Sequence, residues 1–412
     1  MIEQKTLAGR YKAAKSVGHT RIYNRRLVFS ALQRHQALSK AELSRETNLT
    51  PQTIANIIDD LKAARYVHET GRRSAARGQP PVVIQIEKDS GYALGLRLDV
   101  KRYDIVISDL VGQIRFRDTG LVPDGGLGEL IQFTADACNA AIKKSRLPKK
   151  KFLGVGLVTP GPFDLVDPKS VSPGAVPGFQ FRNIANLLKL KIRLPVLLEN
   201  DAAAAVLGEQ HFGQAQGVRN LFYVFLAEGV GAGILWNGEV YRGATGNAGE
   251  LGHLIVYPRG RSCYCGNSGC LGQYLSIASL RAHLLENDII IRSQSDIETL
   301  VLAGNKHVSA WLDIAADAFL LAIATVENLL EPEMIMLGGT ASPELLKELG
   351  RRLNRLLPSI CSRSGHPGIV LGSNLRENIA HGAATIPIIA ATTPNPMVFT
   401  NGEVLSLPGM AR

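Results

Sequence analysis

Three of the five cysteines in this chain lie within eight residues, and this cluster constrains the fold more than any other feature. Cys263, Cys265 and Cys270 have C-x-C-x4-C spacing in a glycine-rich stretch, and His253 is the nearest upstream imidazole. One imidazole and three thiolates form the four-ligand set that structural zinc prefers. Because glycines let the backbone turn tightly enough for the thiols to face one ion, the spacing predicts a zinc-stabilised loop. The alternative is a cluster of buried thiols.

The composition is that of an ordinary globular protein. The chain has 412 residues, enough for two or three domains, and is 45% hydrophobic and 20% charged. Its start lacks the basic and apolar pattern of a signal segment, and no apolar run approaches the roughly 18 to 20 residues of a membrane span. Because most of the few cysteines belong to the metal-like cluster, we expect no disulfide framework and a reducing, cytoplasmic location.

The formal net charge of +10 is concentrated at the N-terminal end. Residues 1–90 contain 16 Lys and Arg against 8 Asp and Glu, whereas the remainder contains 30 against 28. A basic module on a nearly neutral body suggests a polyanionic partner at one end of the chain. Charge alone is equally compatible with a solvated tail.

The N-terminal region has the helix boundaries of a helix-turn-helix. Apolar residues recur at helical spacing over 24–34. Ser39 and Glu42 form a capping box that starts a second helix. Thr50 then caps a third helix that has Pro51 at its first position, where the missing N–H costs nothing.

The third helix has one apolar and one polar face. Its inward stripe consists of Ile54, Ile57, Ile58 and Leu61. Its polar residues include amide and hydroxyl side chains that can hydrogen-bond base edges when the N-terminal end of the helix enters the major groove. The predicted DNA contacts of this helix are Thr50, Gln52, Thr53 and Asn56. The alternative is a helical module that docks a protein.

A predicted wing follows the three helices. Residues 66–73 and 77–86 form two strand-like segments joined by a basic loop. Arg72, Arg73 and Arg77 are placed to contact phosphates or the minor groove of double-stranded DNA. The alternative is a loop that serves only solubility.

The body of the chain predicts two α/β halves with the same element order. The elements of the first half are strand material over 92–109, a return strand at 114–117, a helix at 126–144 and a buried strand at 152–158. The elements of the second half are strands at 221–226 and 234–236, a helix at 314–330 and a strand at 334–337. The glycine-rich segments 229–233 and 338–339 make turns in the second half.

Three motifs together resemble the ROK family (repressors, open reading frames and sugar kinases). They are Glu250-Leu251-Gly252-His253 with the cysteine cluster, the strand and turn Gly154–Asp164, and Glu199-Asn200-Asp201 followed by an alanine run. The resemblance covers about residues 92–392. It implies an N-terminal winged helix-turn-helix over 1–88, then a duplicated actin-like ATPase or sugar-kinase-like fold over 89–392. A tail at 393–412 has no clear assignment.

The resemblance also implies a sugar site at Asn200, Asp201, Glu250 and His253. In the family's kinases, Asp201 would be the base that takes a proton from the attacked hydroxyl. Carboxylates and amides suit sugar hydroxyls because they make directional hydrogen bonds. His253 would use one ring nitrogen for zinc and the other for the sugar. Asn200 and Asp201 could instead cap a helix, and Glu250 could be a solvated carboxylate.

The phosphate loops depart from the kinase pattern. Kinases of the family end the first strand in Asp-x-Gly-Gly-Thr-Lys, and the glycines let backbone amides approach nucleotide phosphates. The matching positions here are Arg97-Leu98-Asp99-Val100-Lys101-Arg102. At the second loop, Glu228 would place a carboxylate near a polyphosphate. We therefore predict a ligand sensor without kinase activity, in which Asp201 is inactive as a base.

Gly272 replaces the glutamate that usually follows Cys-Leu in the family and reaches a sugar hydroxyl. The expected effector is a small carbohydrate whose identity stays open. The predicted protein is a DNA-binding regulator of carbohydrate genes, most simply a repressor, that acts as a homodimer or homotetramer. Two alternatives remain: an active sugar kinase with a DNA-binding head, and a regulator controlled by a protein partner or a sugar phosphate, for which the basic pair Lys101-Arg102 is suggestive.

Overall fold

The structure is a computed structural model that describes most of the chain. The residues described are 17–72, 81–164, 176, 178–179, 183–353, 360–361, 368–373, 375–394, 405–408 and 410, without the side chains of 17–19, 72 and 375–377. They divide into two compact units. The first contains the described residues up to Gly91 and those from Ile389 onward, and the second is Tyr92–Ile388.

The first unit contains three helices and a three-stranded sheet of order β1-β3-β2. Its elements are α1 (Val17–His35), β1 (Ala37–Ser39), α2 (Lys40–Thr47), α3 (Pro51–Ala63), β2 (Val67–Arg72) and β3 (Val82–Ile86). The predicted caps are confirmed. Ser39 and Glu42 form the capping box of α2, and the Thr50 hydroxyl accepts the Thr53 N–H at the start of α3. Each cap satisfies an N–H that the first helical turn leaves unpaired.

The C-terminal residues belong to the first unit, which the sequence did not predict. The predicted tail from residue 393 has described residues that pack within this unit, and Leu405 and Leu407 are buried there. The unit is therefore built from both ends of the chain.

The second unit contains two five-stranded sheets of orders β6-β5-β4-β7-β8 and β11-β10-β9-β12-β13. The strands are β4 (Tyr92–Leu98), β5 (Arg102–Asp109), β6 (Ile114–Leu121), β7 (Phe152–Val158), β8 (Val196–Glu199), β9 (Leu221–Leu226), β10 (Val230–Trp236), β11 (Glu239–Val240), β12 (Met334–Gly339) and β13 (Ile369–Leu371). In each sheet one strand has an antiparallel neighbour and a parallel one, β4 in the first and β9 in the second. This repetition confirms the predicted duplication.

Nine helices accompany these sheets in the described residues. They are α4 (Leu127–Ser145), α5 (Ile184–Ile192), α6 (Asp201–Phe212), α7 (Gly272–Leu275), α8 (Ile277–Leu285), α9 (Gln294–Leu302), α10 (Lys306–Leu330), α11 (Pro343–Arg352) and α12 (Leu375–Thr392). Short 3-10 turns occur at Lys88–Ser90, Lys149–Lys151 and Leu251–His253.

Helices α12 and α6 pack closely between the two sheets, with backbone against backbone. A side chain added at Gly95 of β4 would lie 2.0 Å from the carbonyl oxygen of Ala380 in α12. One added at Gly382 would lie 1.9 Å from the carbonyl oxygen of Ala204 in α6. Helix α6 in turn packs on β9 and β10 of the second sheet. Both helices therefore approach their neighbours at positions where only glycine fits.

Helix α10 is long and apolar enough to cross a membrane by length and composition alone. Trp311 and Phe319 on this helix are fully buried among other apolar side chains of the second unit. Half of its most apolar stretch is covered by the rest of the protein, as in the core helix of a folded domain.

Candidate metal centre, sugar cleft and DNA interface

The four predicted metal ligands converge. The donor atoms of His253, Cys263, Cys265 and Cys270 all lie within 4.8 Å of one another. Cys263 Sγ is 3.7 Å from His253 Nδ1, and Cys265 Sγ is 3.7 Å from Cys270 Sγ. A tetrahedral zinc ion with bonds of about 2.3 Å to sulfur separates its ligands by about 3.8 Å. The donor set and its spacing therefore fit zinc.

The local backbone explains why the thiols converge. Antiparallel bridges join Ile255 to Cys270 and Ser262 to Ser268, which folds the cysteine segment back on itself. Gly269 has a φ of +77°, and a side chain there would lie 1.6 Å from the Tyr257 carbonyl oxygen. The glycine of the motif is required by this close approach as well as by its backbone conformation.

Side chains around the cluster orient the ligands. The amides of Asn267 and Gln273 lie 3.6 Å from Cys265 Sγ and 3.5 Å from Cys263 Sγ. The Tyr264 hydroxyl is 3.0 Å from His253 Nε2, the ring nitrogen away from the thiols. A sugar hydroxyl at Nε2 would have to displace Tyr264, so the sugar role of His253 stays a prediction. Sequence reasoning did not single out Asn267, Tyr264 or Gln273.

The junction of β8 and α6 places two of the predicted sugar ligands. Asn200 is the N-cap of α6, and its Oδ1 accepts the Ala203 N–H at 2.7 Å. The cap role considered from sequence is thus present, and the NH₂ group of Asn200 remains a donor for a further partner. Asp201 follows directly. Burial raises the pKa of its carboxyl, and the nearby positive charge of Arg97 opposes that rise.

Glu250 lies near Asp201 across β10. Their chain neighbours Ala202 and Gly249 both lie close to Gly231 of β10. A side chain added at Gly231 would be 3.9 Å from Ala202 Cβ and 4.0 Å from the Gly249 carbonyl oxygen. Although Glu250 is solvent accessible, partial desolvation and then the like charge of Asp201 raise its pKa to about 7. A carboxyl with a pKa of about 7 is partly protonated at neutral pH, so it can donate as well as accept hydrogen bonds, as a sugar diol requires.

Two further contacts link the residues around this site, and neither was predicted from the sequence. The buried Glu199 accepts a 2.7 Å hydrogen bond from Arg242 Nε. The Asn247 side chain accepts the Phe163 N–H and donates to the Phe163 carbonyl oxygen, both at 2.9 Å. Glu199 could have been suspected from its place beside Asn200. Arg242 and Asn247 carried no motif signal.

The phosphate side of the cleft is filled by the protein itself. Asp99 Oδ1 accepts the backbone N–H groups of Lys101 and Arg102 at 2.9 and 2.8 Å. Asp99 Oδ2 accepts a 2.9 Å bond from buried Arg97, which also bonds Asp104 at 3.2 Å. The amides of this turn therefore face an internal carboxylate instead of a phosphate.

The second phosphate loop is also altered. Glu228 forms an ion pair with Arg281 at 2.7 Å. In the loop that the resemblance places near a polyphosphate, this chain therefore has a carboxylate with a cation of the same chain beside it.

The predicted DNA-binding helix presents its polar side chains to solvent. Gln52 and Asn56 are exposed and hydrogen-bonded to each other at 3.0 Å, and Thr50 and Thr53 share a 2.9 Å hydroxyl contact. The inward stripe is buried as predicted, which fixes the orientation of the helix: Ile54, Ile57, Ile58 and Leu61.

The predicted wing arginines are only partly covered by the structure. The backbone of Arg72 ends β2, but its side chain is not described, and Arg73 and Arg77 lie outside the described residues. Strands β2 and β3 pair antiparallel, as a wing requires. The DNA contacts of these arginines stay predictions.

The fold and these sites define a transcriptional regulator built on a sugar-kinase-like body. The chain belongs to the ROK family, whose model matches residues 127–401. It is 29% identical over 335 residues to the xylose repressor of Caldicellulosiruptor bescii, covering 77% of this chain and 83% of that protein. It is 25% identical over 327 residues to the transcriptional dual regulator NagC of Escherichia coli, covering 77% of this chain and 80% of that protein.

A solved structure supports the same fold. A ROK family transcriptional regulator, described as a homologue of the E. coli MLC protein, superposes with a TM-score of 0.73 and 24% identity. The match covers 90% of this chain and 96% of that one. Because the relatives are named as repressors and regulators, the chain is assigned as a regulator and not as a kinase.

Proposed function

We propose that this chain is a sugar-responsive transcriptional repressor of carbohydrate genes. The observation that carries the proposal is the turn after β4, where Asp99 pairs with Arg97 and accepts the backbone amides that would face a nucleotide phosphate in the family's kinases. The sugar side of the same cleft keeps Asn200, Asp201 and Glu250. A site that keeps its sugar ligands without its phosphate loop is suited to sensing.

The DNA-binding unit would recognise a double-stranded operator through α3. Exposed amides such as Gln52 and Asn56 suit adenine edges in the major groove, while Thr50 and Thr53 can reach phosphates or bases. Arg72, Arg73 and Arg77 would add phosphate or minor-groove contacts. Operators of this kind have two-fold symmetry, so we propose at least a homodimer acting in the cytoplasm.

The effector would be a neutral sugar or a close derivative. Asn200, Asp201 and Glu250 offer an amide donor and two carboxyls and carry no positive charge, which favours hydroxyl groups over a phosphorylated sugar. A Gly272 side chain would lie 3.2 Å from the Gly252 carbonyl oxygen, so the usual glutamate could not be accommodated without a small shift. The sugar would therefore be bound without the contact that this glutamate makes in the family.

Zinc would have a structural role. His253, Cys263, Cys265 and Cys270 would hold the ion, which supplies no chemistry beyond fixing the loop. That loop follows Glu250 directly, so its rigidity would position one side of the sugar cleft.

The effector can regulate DNA binding only if it favours one conformation over another. Tight binding that is equal in both states shifts nothing. We propose that sugar closes the cleft and thereby disfavours the arrangement in which the DNA-binding units of the oligomer match their half-sites.

Fluorescence anisotropy tests this function directly. The protein would be titrated onto labelled DNA from upstream of its own and neighbouring genes, at fixed salt with non-specific competitor. D-xylose, D-glucose and N-acetylglucosamine would be the first probes. We expect competitor-resistant binding that one sugar releases, and Asn56→Ala should weaken it by about 1 to 3 kcal/mol.

A control variant and two further outcomes of the titration separate sequence-specific, sugar-released binding from the alternatives. Lys88→Ala serves as a control because this residue lies outside α3 and the wing loop, so its loss should leave sequence preference unchanged. Specific DNA binding that no sugar releases would favour the alternative that a protein partner controls the regulator. A lack of specific binding would contradict the proposal.

A further inference from the structure

Both ends of the chain meet in the DNA-binding unit, and Arg26 of α1 lies at the centre of this contact. Arg26 is only 6% exposed. Its guanidinium donates to the carbonyl oxygens of Leu405 at 2.5 Å and Thr393 at 3.3 Å. Burial lowers its pKa. A planar five-donor group bridges two carbonyls well, whereas leaving it buried without them would be costly.

Tyr66, which precedes β2, makes a second contact with the same C-terminal segment, defined here as the described residues 389–394, 405–408 and 410. The Tyr66 hydroxyl donates to the Pro408 carbonyl oxygen at 2.6 Å. Its ring packs edge-on against Phe29 and is 2% exposed, and burial raises its pKa to about 12, so it stays a neutral donor. A third contact joins the Thr392 hydroxyl to Gln33 of α1 at 3.0 Å.

The segment also contributes to the core of the first unit. Leu405 and Leu407 are buried while Ser406 between them is exposed. This alternation means that one side of an extended segment covers apolar surface. The C-terminal segment is therefore an integral part of the unit that carries α3.

The same segment begins in a helix that also belongs to the second unit. The earlier part of α12 packs backbone-to-backbone on Gly95 of β4, and Gly382 packs on α6. Helix α6 starts at Asp201 and is capped by Asn200. Close-packed backbones have no long side chains to absorb a displacement, so α12 must respond when α6 moves.

We infer that the C-terminal segment transmits the state of the sugar cleft to the DNA-binding unit, with Arg26 and Tyr66 as the positioning residues that hold it. The inference rests on the proposed function. Arg26 is the buried arginine of α1 that reaches the C-terminal segment, whereas Arg21 of the same helix is exposed and pairs with Asp60 at 2.7 Å.

Two conservative variants test the inference. Tyr66→Phe removes one hydroxyl and keeps the ring, and Arg26→Met keeps an apolar side chain of similar length. Arg21→Met is the matched control, since it removes the same charge from the same helix without touching the segment. Unfolding by urea would show that each variant remains folded.

The first measurement uses the sugar, among D-xylose, D-glucose and N-acetylglucosamine, that releases the wild type from its operator. It gives the ratio of operator affinity without this sugar to operator affinity with it. We expect Arg26→Met and Tyr66→Phe to reduce this ratio by about fivefold or more, while sugar affinity measured by calorimetry is unchanged. Arg21→Met should retain the wild-type ratio. A purely structural role would lower operator affinity and leave the ratio unchanged, which would overturn the inference.

The second measurement needs no effector. Hydrogen exchange should show faster exchange in the last turn of α12 and in α1 of Arg26→Met, together with a loss of operator affinity of about three- to tenfold. Exchange and affinity like those of the wild type would overturn the inference whatever the sugars do. If no sugar releases the wild type while this second measurement succeeds, the effector part of the proposed function fails and transmission by the segment fails with it, whereas the anchoring of the segment by Arg26 stands.

Discussion

The two turns at the carboxyl edge of the first sheet use their polar groups in opposite ways. After β4, Asp99 accepts the backbone amides of the turn, and Asp99 and Asp104 accept hydrogen bonds from the two terminal nitrogens of the buried Arg97. After β8, Asn200 and Asp201 cap and begin α6 but still present groups to the cleft. The comparison teaches that one carboxylate can satisfy the amides of a turn that binds phosphate in the family's kinases, while the adjoining turn keeps the residues of the predicted sugar site.

Loss of the zinc site next to the predicted sugar residues should have the largest effect on stability. Cys270→Ser takes one of the four ligands from the loop that the ion would fix, so we expect loss of zinc and of roughly 3 kcal/mol or more of unfolding free energy. Metal analysis and urea unfolding measure both. Cys361→Ser is the control because it lies outside the cluster, and full zinc content in Cys270→Ser would refute the assignment.

Removing the Asp99 carboxylate from the turn after β4 should have the second largest effect on stability. Asp99→Ala leaves Arg97 buried with Asp104 alone and strips two turn amides of their acceptor, so we expect a loss of about 3 kcal/mol in unfolding free energy. Asp99→Asn keeps an acceptor and should lose less. Neither variant should gain phosphoryl transfer in an ADP-release assay, because Arg97 and Glu228 remain. Measurable ADP release by either variant would contradict the conclusion that the altered phosphate loops prevent kinase activity.

Changing the charge of Asp201 in the predicted sugar site should alter sensing without altering DNA binding. Asp201→Asn keeps the shape of the side chain but removes a charged acceptor, so we expect sugar affinity to fall by about tenfold or more. Calorimetry gives the sugar affinity, and anisotropy without sugar should match the wild type. Unchanged sugar affinity would place the effector elsewhere.

The smallest effect should be a pH dependence at Glu250. Its pKa is raised to about 7, so the folded protein keeps a proton that the unfolded chain releases. Stability is therefore present at low pH and is lost as pH rises through about 7. Relative to Glu250→Gln, the wild type should lose under about 1 kcal/mol between pH 5 and pH 8, because solvent screens an accessible carboxyl. The measurement is the urea unfolding midpoint of both proteins at pH 5 and pH 8. The same change in midpoint for the wild type and for Glu250→Gln would contradict this prediction.

The sequence determined the features that depend on near neighbours. The caps of α2 and α3 join residues three positions apart, and the inward stripe of α3 follows from helical periodicity. The C-x-C-x4-C spacing confines its thiols to one loop, so their convergence was predictable. The loss of the phosphate-loop glycines was also visible, because it concerns a single turn.

Only the tertiary structure decided the contacts between distant residues. Arg26 meets Leu405 across 379 positions, and Arg242 meets Glu199 across 43. Nor could the sequence show that Asp99 would satisfy its own turn, or that the tail would return to the first unit. Local hydrogen bonds are set by the few residues that form them. Long-range ones exist only after the packing of helices such as α12 has brought their partners together, and no short segment contains that information.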